Sequence, residues 1–369
     1  MFDPIKASKE IKDSYIDYIT TTFDMADTDY EREFRKELQT DGMVASGPFL
    51  DIGGSYETGH TLRELIQAQK ASILFENLEP VAEKERELKL DRPLYQHQET
   101  AMLKADKGEN LVVTTGTGSG KTESFLLPII NHLLREQEAG TLSAGVRAII
   151  IYPMNALAND QMKRMRALFK NYPQICYGVY NGNTEHTQSK ALAEYHRTYH
   201  DEVGEPIDPA PNEIISREVM QERPPHILIT NYSMLEYMML RPKDDAVFSG
   251  AKLKFIVLDE AHIYKGATGM ETSLLMRRLR ARISEPDSVQ YILTSATLGG
   301  PDADGDILSF AEKLCGVAFQ RSGIIRSTEK RPAIEDFLDF APALFEELQR
   351  SPDISSVLAR YHADFAPVG

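Results

Sequence analysis

Cysteine is nearly absent: Cys176 and Cys315 are the only two in 369 residues. Two thiols cannot build a disulfide framework or a four-thiolate zinc site, and the pair reads as reduced, buried side chains of a cytoplasmic protein. Long apolar runs are also missing. The longest, at 125–130 and 148–152, fall far short of the ~20 residues that a membrane-spanning helix needs, so no membrane partner is expected. The opening MFDPIKASKE has no apolar core of a secretory signal. Basic excess is lacking too, with 41 Lys and Arg against 56 Asp and Glu and a net charge of −15. That balance argues against a general polyanion binder. It leaves room for a protein that holds phosphates by backbone N–H groups and helix N-termini under an otherwise acidic surface. What remains is ordinary: 42% hydrophobic and 26% charged residues exclude disordered and collagen-like classes. The length suits one large domain with a helical appendage, or two domains.

Along the chain, residues 1–90 carry no evident chemistry and read as an N-terminal accessory region. It includes a charged helical stretch at 30–38 and a capping box, Thr61-x-x-Glu64. From about 91 the texture changes. Short Ile- and Val-rich runs, at 110–114, 147–152, 176–180, 226–230, 254–258 and 290–294, alternate with helical patterns such as 122–136 and 158–169. Nearly continuous apolar strands alternating with helices predict an α/β fold, a doubly wound parallel sheet flanked by helices, over 91–327. In such sheets ligands sit beyond the carboxyl ends of the strands. Residues 185–225 form a polar stretch that reads as a helical insertion; His186, His196 and His200 there lack the spacing and thiol partners of a zinc site. Residues 328–369 are acidic and helical in pattern, as at the start of a following region.

Four strings carry chemistry. Thr115-Gly116-Thr117-Gly118-Ser119-Gly120-Lys121-Thr122 follows a strand and opens a helix, the setting of a phosphate-cradling loop. Lys121 then reaches the β- and γ-phosphates of ATP, and the Thr122 hydroxyl ligates Mg²⁺. Asp259-Glu260-Ala261-His262 follows the strand KFIVL. Asp259 there holds the Mg²⁺ shell, and Glu260 orients or deprotonates the attacking water. Ser295 and Thr297, in Ser-Ala-Thr after the strand QYILT, are small hydroxyls suited to relaying the nucleotide state. Gln98, in LYQHQ, stands 23 residues before Lys121, where its carboxamide either reads adenine or is an ordinary helix-surface glutamine.

In order, LYQHQ, TGTGSGKT, YPMNALANDQ, YNGNT, TNYSML, DEAH and TSAT resemble the motif series of superfamily 2 DEAD/DEAH-box helicases that runs from Q and I through Ia and Ib to II and III. The strict P-loop has Gly where this chain has Thr115, a relaxation common in helicases. DEAHIYKGATG followed by Arg277, Arg278 and Arg280, together with YNGNT, is similar to the YprA/MrfA-like group of DNA helicases. PPHILITNYSMLEYMMLRP and the N-terminal region resemble large helicases of bacterial anti-phage systems such as Druantia and DISARM. The resemblance implies a first RecA-like lobe and places Asn155, Thr184, Thr230 and Asn231 on a face that meets DNA, or RNA, through sequence-independent backbone contacts. Each of these four also fits a helix cap or turn. It implies that His262 couples nucleotide to strand, although His262 also fits a simple packing role.

Members of this group have a second RecA-like lobe that supplies arginine fingers. After Thr297 only 72 residues remain, so that lobe is expected in the full-length chain or on a partner, and the lobe alone is expected to hydrolyse ATP very slowly. The expectation is therefore the ATP-binding motor lobe of a helicase or translocase in anti-phage defence or DNA repair. The alternative is an ATP-gated sensor module that binds nucleic acid or a partner without unwinding.

Overall fold

The computed structural model describes residues 4–23, 27–40, 42–46, 56–78, 88–116, 118–170, 172–200, 204–296 and 301–330. The segment 331–369, Thr117 and Thr297 lie outside the described residues.

Two compact units divide at Gly54 and Ser55. The first holds helices α1 (Pro4–Thr22) and α2 (Thr28–Gln39). Asp27 caps α2 by accepting the N–H groups of Asp29 and Tyr30, and an ion pair joins Arg35 to Asp17. Lys12 Nζ donates to the Gln39 carbonyl, 3.4 Å away.

The second unit carries all nine described strands. Strands β1 (Thr58–Thr61) and β2 (Pro93–Tyr95) form a small antiparallel ladder. The main sheet contains β3 (Leu111–Thr114), β4 (Ala148–Tyr152), β5 (Tyr177–Tyr180), β6 (Ile227–Asn231), β7 (Phe255–Leu258), β8 (Gln290–Ser295) and β9 (Ile324–Arg326). Their order is β5-β6-β4-β7-β8-β3-β9, every pair parallel. This is the doubly wound RecA-like sheet that the strand-like runs implied.

The runs are apolar without interruption because both faces are covered. Along β4, Ile150 belongs to a core shared with α3 (Leu62–Gln67), α4 (Gln96–Asp106), α5 (Lys121–Glu138) and α6 (Asn155–Phe169). Its neighbours Ile149 and Ile151 belong to the opposite core, with α9 (Tyr232–Leu240), α11 (Gly266–Arg282) and α12 (Asp304–Cys315). Successive strand residues point to opposite faces, so a strand buried on both sides has no polar alternation to show.

The Thr61 capping box forms: the Glu64 N–H donates to Thr61 Oγ1 at 3.1 Å, and the Thr61 N–H donates to Glu64 Oε2 at 2.7 Å. It opens only the short α3, whose Leu62, Leu65 and Ile66 sink into the sheet's first core. Residues 56–78 thus belong with the sheet, because their apolar side chains complete a face that α4 and α5 leave partly uncovered. Between β5 and β6 stand α7 (Gln188–Thr198) and α8 (Arg217–Glu222); the short α10 (Asp245–Phe248) follows α9. Buried Arg147, with no side-chain exposure, is held by Glu136 at 2.9 Å across the amino end of the sheet.

Candidate nucleotide and nucleic-acid sites

β3, β8 and β7 deliver the chemistry to one edge. The turn after β3 runs through Gly118 and Gly120, whose φ of +76° and +72° lie in the left-handed region where a side chain is strained. Gly118 faces open space, and Gly120 caps α5, so that Lys121 and Thr122 occupy its first turn. Thr115 is buried; its N–H donates to the Ser295 carbonyl at 3.2 Å, and its hydroxyl accepts from Ser119 Oγ at 2.7 Å. That contact gives a structural use to the threonine that replaces the customary glycine: it ties the loop across its base.

Lys121 Nζ lies 3.3 Å from Glu260 Oε1, with little of either side chain exposed. Asp259 and Glu260 follow β7, and β8 stands between β7 and β3. The pair therefore approaches Lys121 over the tip of an intervening strand, where Thr114 sits opposite Ser295. Glu260 adopts φ +48°, one of two non-glycine residues at positive φ among the described residues. Such a conformation costs about 1–2 kcal/mol and persists only where surroundings impose it. Glu260 is also 3.3 Å from His262 Nδ1, which lies 3.0 Å from Ser295 Oγ. One carboxylate thus touches both the loop lysine and a histidine bonded to β8.

Asp259 is largely buried, and burial holds its carboxyl above the usual carboxylate range, with the Glu260 charge adding to the effect. The Thr294 hydroxyl donates to Asp259 and Lys121 lies nearby; both pull the other way. A buried carboxylate that resists ionisation beside a second carboxylate is the donor set a divalent cation relieves. With Thr122 in the adjacent helical turn, the residues fit a Mg²⁺ and phosphate pocket.

Gln98 is buried rather than placed on a helix surface. Its Oε1 accepts the Tyr95 N–H at 2.9 Å and its Nε2 donates to the Gly120 carbonyl at 3.0 Å. Both ends of the carboxamide brace the loop. Its neighbour His97 was missed by motif reasoning. His97 is buried, held neutral by that burial, and donates through Nε2 to the Ser119 carbonyl at 2.9 Å. Tyr95 stacks on His97, and the Tyr56 hydroxyl lies 3.0 Å from where a Cβ on Gly116 would stand. The sequence signal for His97 was its place between the two glutamines of LYQHQ.

The four residues assigned to a nucleic-acid face separate into two kinds. Asn155 opens α6 and accepts at Oδ1 from Asn231 Nδ2, 2.8 Å away, while Asn231 caps α9 by accepting the Met234 N–H at 2.7 Å. These two meet at the carboxyl ends of β4 and β6. Thr230 is buried, and its hydroxyl donates to the Tyr180 carbonyl at 2.7 Å. Thr184 closes its own turn, donating to the Val179 carbonyl at 2.8 Å and accepting the Asn181 N–H at 2.9 Å. The hydroxyls of both threonines are therefore spent on backbone.

The sequence profile of the DEAD/DEAH box helicases matches residues 95–304. The chain belongs to the DEAD/DEAH box helicase family. Druantia protein DruE of Escherichia coli is 32% identical across 88% of this chain and 22% of its own length. The ATP-dependent helicase YprA of Bacillus subtilis is 30% identical across 58% of this chain and 24% of its own. The chain thus spans less than a quarter of either relative. Among solved structures, the DEAD-box helicase Mss116 bound to ssRNA aligns with a TM-score of 0.54 at 17% identity, over 75% of this chain and 47% of that one. The helicase MrfA bound to DNA aligns at 0.50 and 22%, over 74% and 31%. These likenesses establish a shared helicase-lobe fold. No described helix is long and apolar enough to cross a membrane.

Proposed function

We propose that this helicase domain is the ATP-binding first lobe of a motor that moves on single-stranded nucleic acid, DNA foremost, by gripping its backbone. The observation that carries the reading is the convergence of Lys121, Asp259, Glu260, His262 and Ser295 on adjoining strand tips. In this reading Lys121 leaves Glu260 to neutralise the terminal phosphates, and the left-handed glycines present backbone N–H groups to them. Thr122 and Asp259 would hold Mg²⁺, which supplies charge neutralisation for phosphoryl transfer. Glu260, freed from the lysine, takes a proton from the attacking water, and its contact with His262 passes the change to Ser295 and β8.

MrfA was solved on DNA, and DruE carries the Druantia name, so work on DNA in anti-phage defence is the setting we favour for this cytoplasmic-type chain. Asn155 and Asn231, side by side at helix N-termini, are the proposed strand contacts. Titration with a fluorescent ATP analogue tests the core of this. Binding is expected for the wild type and lost in Lys121→Ala, and single-stranded DNA is expected to bind more tightly once nucleotide is present. A wild-type chain that binds no adenine nucleotide would overturn it.

A further inference from the structure

Glu123 follows Lys121 and Thr122 in the first turn of α5, so a carboxylate stands directly after the side chains proposed for phosphate and Mg²⁺. It reaches back to the loop. A Cβ on Gly120 would lie 3.0 Å from Glu123 Oε2 and 2.4 Å from Gln98 Nε2, so glycine there lets both side chains close on the loop. Glu123 Oε1 accepts from Arg164 Nη2 in an ion pair, while Oε2 is buried with no hydrogen-bond partner among the described residues. An acid at this place suits the positive end of a helix but opposes an incoming polyphosphate, because both anions compete for that end. Arg164 offsets the opposition.

The guanidinium comes from another element. Arg164 stands in α6, nine residues beyond Asn155. Helix α5 follows β3 and α6 follows β4; β8 and β7 separate these strands in the sheet, and both helices cover the same face. The ion pair therefore joins two helices whose strands do not touch. The charge of Arg164 also reaches Tyr152 at the end of β4, whose buried hydroxyl has no partner among the described residues and feels Asp259 with the opposite sign. Both members of the pair are partly buried, and desolvation offsets most of the attraction in such a pair. Stability alone is a weak reason for it; its position between the loop and α6 is a stronger one.

We propose that Arg164 is a positioning residue that couples the nucleotide loop to the strand contacts: by holding Glu123 it makes the first turn of α5 and helix α6 move as one piece, so that phosphates seated on Lys121 displace Asn155 and its partner Asn231. Arg164 touches neither nucleotide nor strand. Asn155 opens α6 and is bonded to the residue that caps α9, which gives the displacement its outlet. The proposal rests on the motor reading above and names the link inside the lobe that the reading requires.

Fluorescence anisotropy of labelled single-stranded DNA, with and without a saturating non-hydrolysable ATP analogue and Mg²⁺, reads the coupling as a ratio of dissociation constants. In the wild type that ratio is expected at about fivefold or more. Arg164→Met leaves the Glu123 charge beside the phosphates, so the analogue should bind about fivefold more weakly and the ratio should fall to within about twofold of one. Glu123→Gln removes the charge; the analogue should bind at least as well as to the wild type, yet the ratio should fall equally. In the double variant the analogue affinity should return to within about twofold of wild type, with the ratio no lower than in either single variant. A folding defect would not be repaired by a second substitution. Glu123→Gln is nearly isosteric and carries the test alone if Arg164→Met fails to fold. A wild-type ratio in Glu123→Gln or in the double variant would overturn the inference and leave the motor reading in place. A wild-type chain that binds no DNA, or whose DNA affinity is indifferent to the nucleotide, would remove both.

Discussion

Replacing Glu260 by Gln separates nucleotide binding from hydrolysis in a direction the structure dictates. Glu260 is the partner of Lys121 at 3.3 Å, so incoming phosphate must compete with a carboxylate for the ammonium. At that distance the bare Coulomb attraction is about 5 kcal/mol for an effective dielectric constant near 20, most of it offset by desolvation and by side-chain ordering. Because the carboxylate is a quarter exposed, the net interaction is closer to ~1 kcal/mol. Removing it should tighten binding of a non-hydrolysable ATP analogue by roughly fivefold, since ~1.4 kcal/mol corresponds to a factor of ten. The same substitution removes the proposed proton acceptor and should slow hydrolysis by roughly 10²–10⁴-fold. Equilibrium titration and single-turnover hydrolysis, on one preparation, read the two effects. Tenfold weaker binding in a folded Glu260→Gln protein would refute the reasoning, because Glu260 would then support the nucleotide rather than compete with it.

Asp259→Asn is expected to raise the melting temperature at neutral pH while abolishing Mg²⁺-dependent hydrolysis. The folded-state pKa of Asp259 is raised, so its unfavourable ionisation in the fold sets in as pH climbs from the ordinary carboxylate range through the folded value. The stabilisation from the substitution should accordingly vanish in acid; melting curves across that window check it, and a lower melting temperature at neutral pH would count against it. Gln98→Ala should weaken ATP and GTP alike, because both ends of the carboxamide hold protein backbone; competition titrations showing a loss confined to ATP would make Gln98 an adenine reader instead. Glu136→Ala strands the fully buried Arg147, and His132, whose pKa burial lowers to about 4, cannot replace the carboxylate. A loss of about 3 kcal/mol is expected, seen in thermal unfolding as roughly 6–12 °C.

How much of this was legible in the sequence depended on the range of the interaction. The parallel sheet was readable because Ile149, Ile150 and Ile151 alternate between two cores and so leave an unbroken apolar run. The nucleotide loop was readable because left-handed backbone at Gly118 and Gly120 demands glycine locally. The accessory region expected over 1–90 was harder. Leu62, Leu65 and Phe75 complete a sheet face built from residues distant in the chain, and nothing in their own segment announces it. Gln98 and Thr230 were named from their places in motifs, yet their partners are carbonyls of Gly120 and Tyr180, which no side-chain pattern encodes. His97 and Arg217 escaped for the same reason: each acts on a backbone carbonyl contributed by another element.

Three features of the strand-tip edge oppose stability, and their signs are complementary. Asp259 is an anion held where ionisation is disfavoured, Glu260 is a strained residue, and Arg217 is a buried cation without a counter-ion among the described residues. A core selected for folding alone would hold none of them. The first two sit at the tip of β7 and the third beneath the tip of β5, with β6 and β4 between. Three strand spacings put them about 14 Å apart. A cation with its phosphates at the tip of β7 would relieve the buried Asp259 charge. Helix α6, which follows the intervening β4, begins at Asn155, and β6 ends at Asn231, the two side chains bonded to each other. Any shift of α6 that followed the nucleotide would therefore move the side chain that caps α9, which joins the proposed nucleotide and strand sites along one edge. On that edge, nucleotide and strand should each raise the melting temperature of the chain, and the two increments together should exceed their sum if this edge couples them.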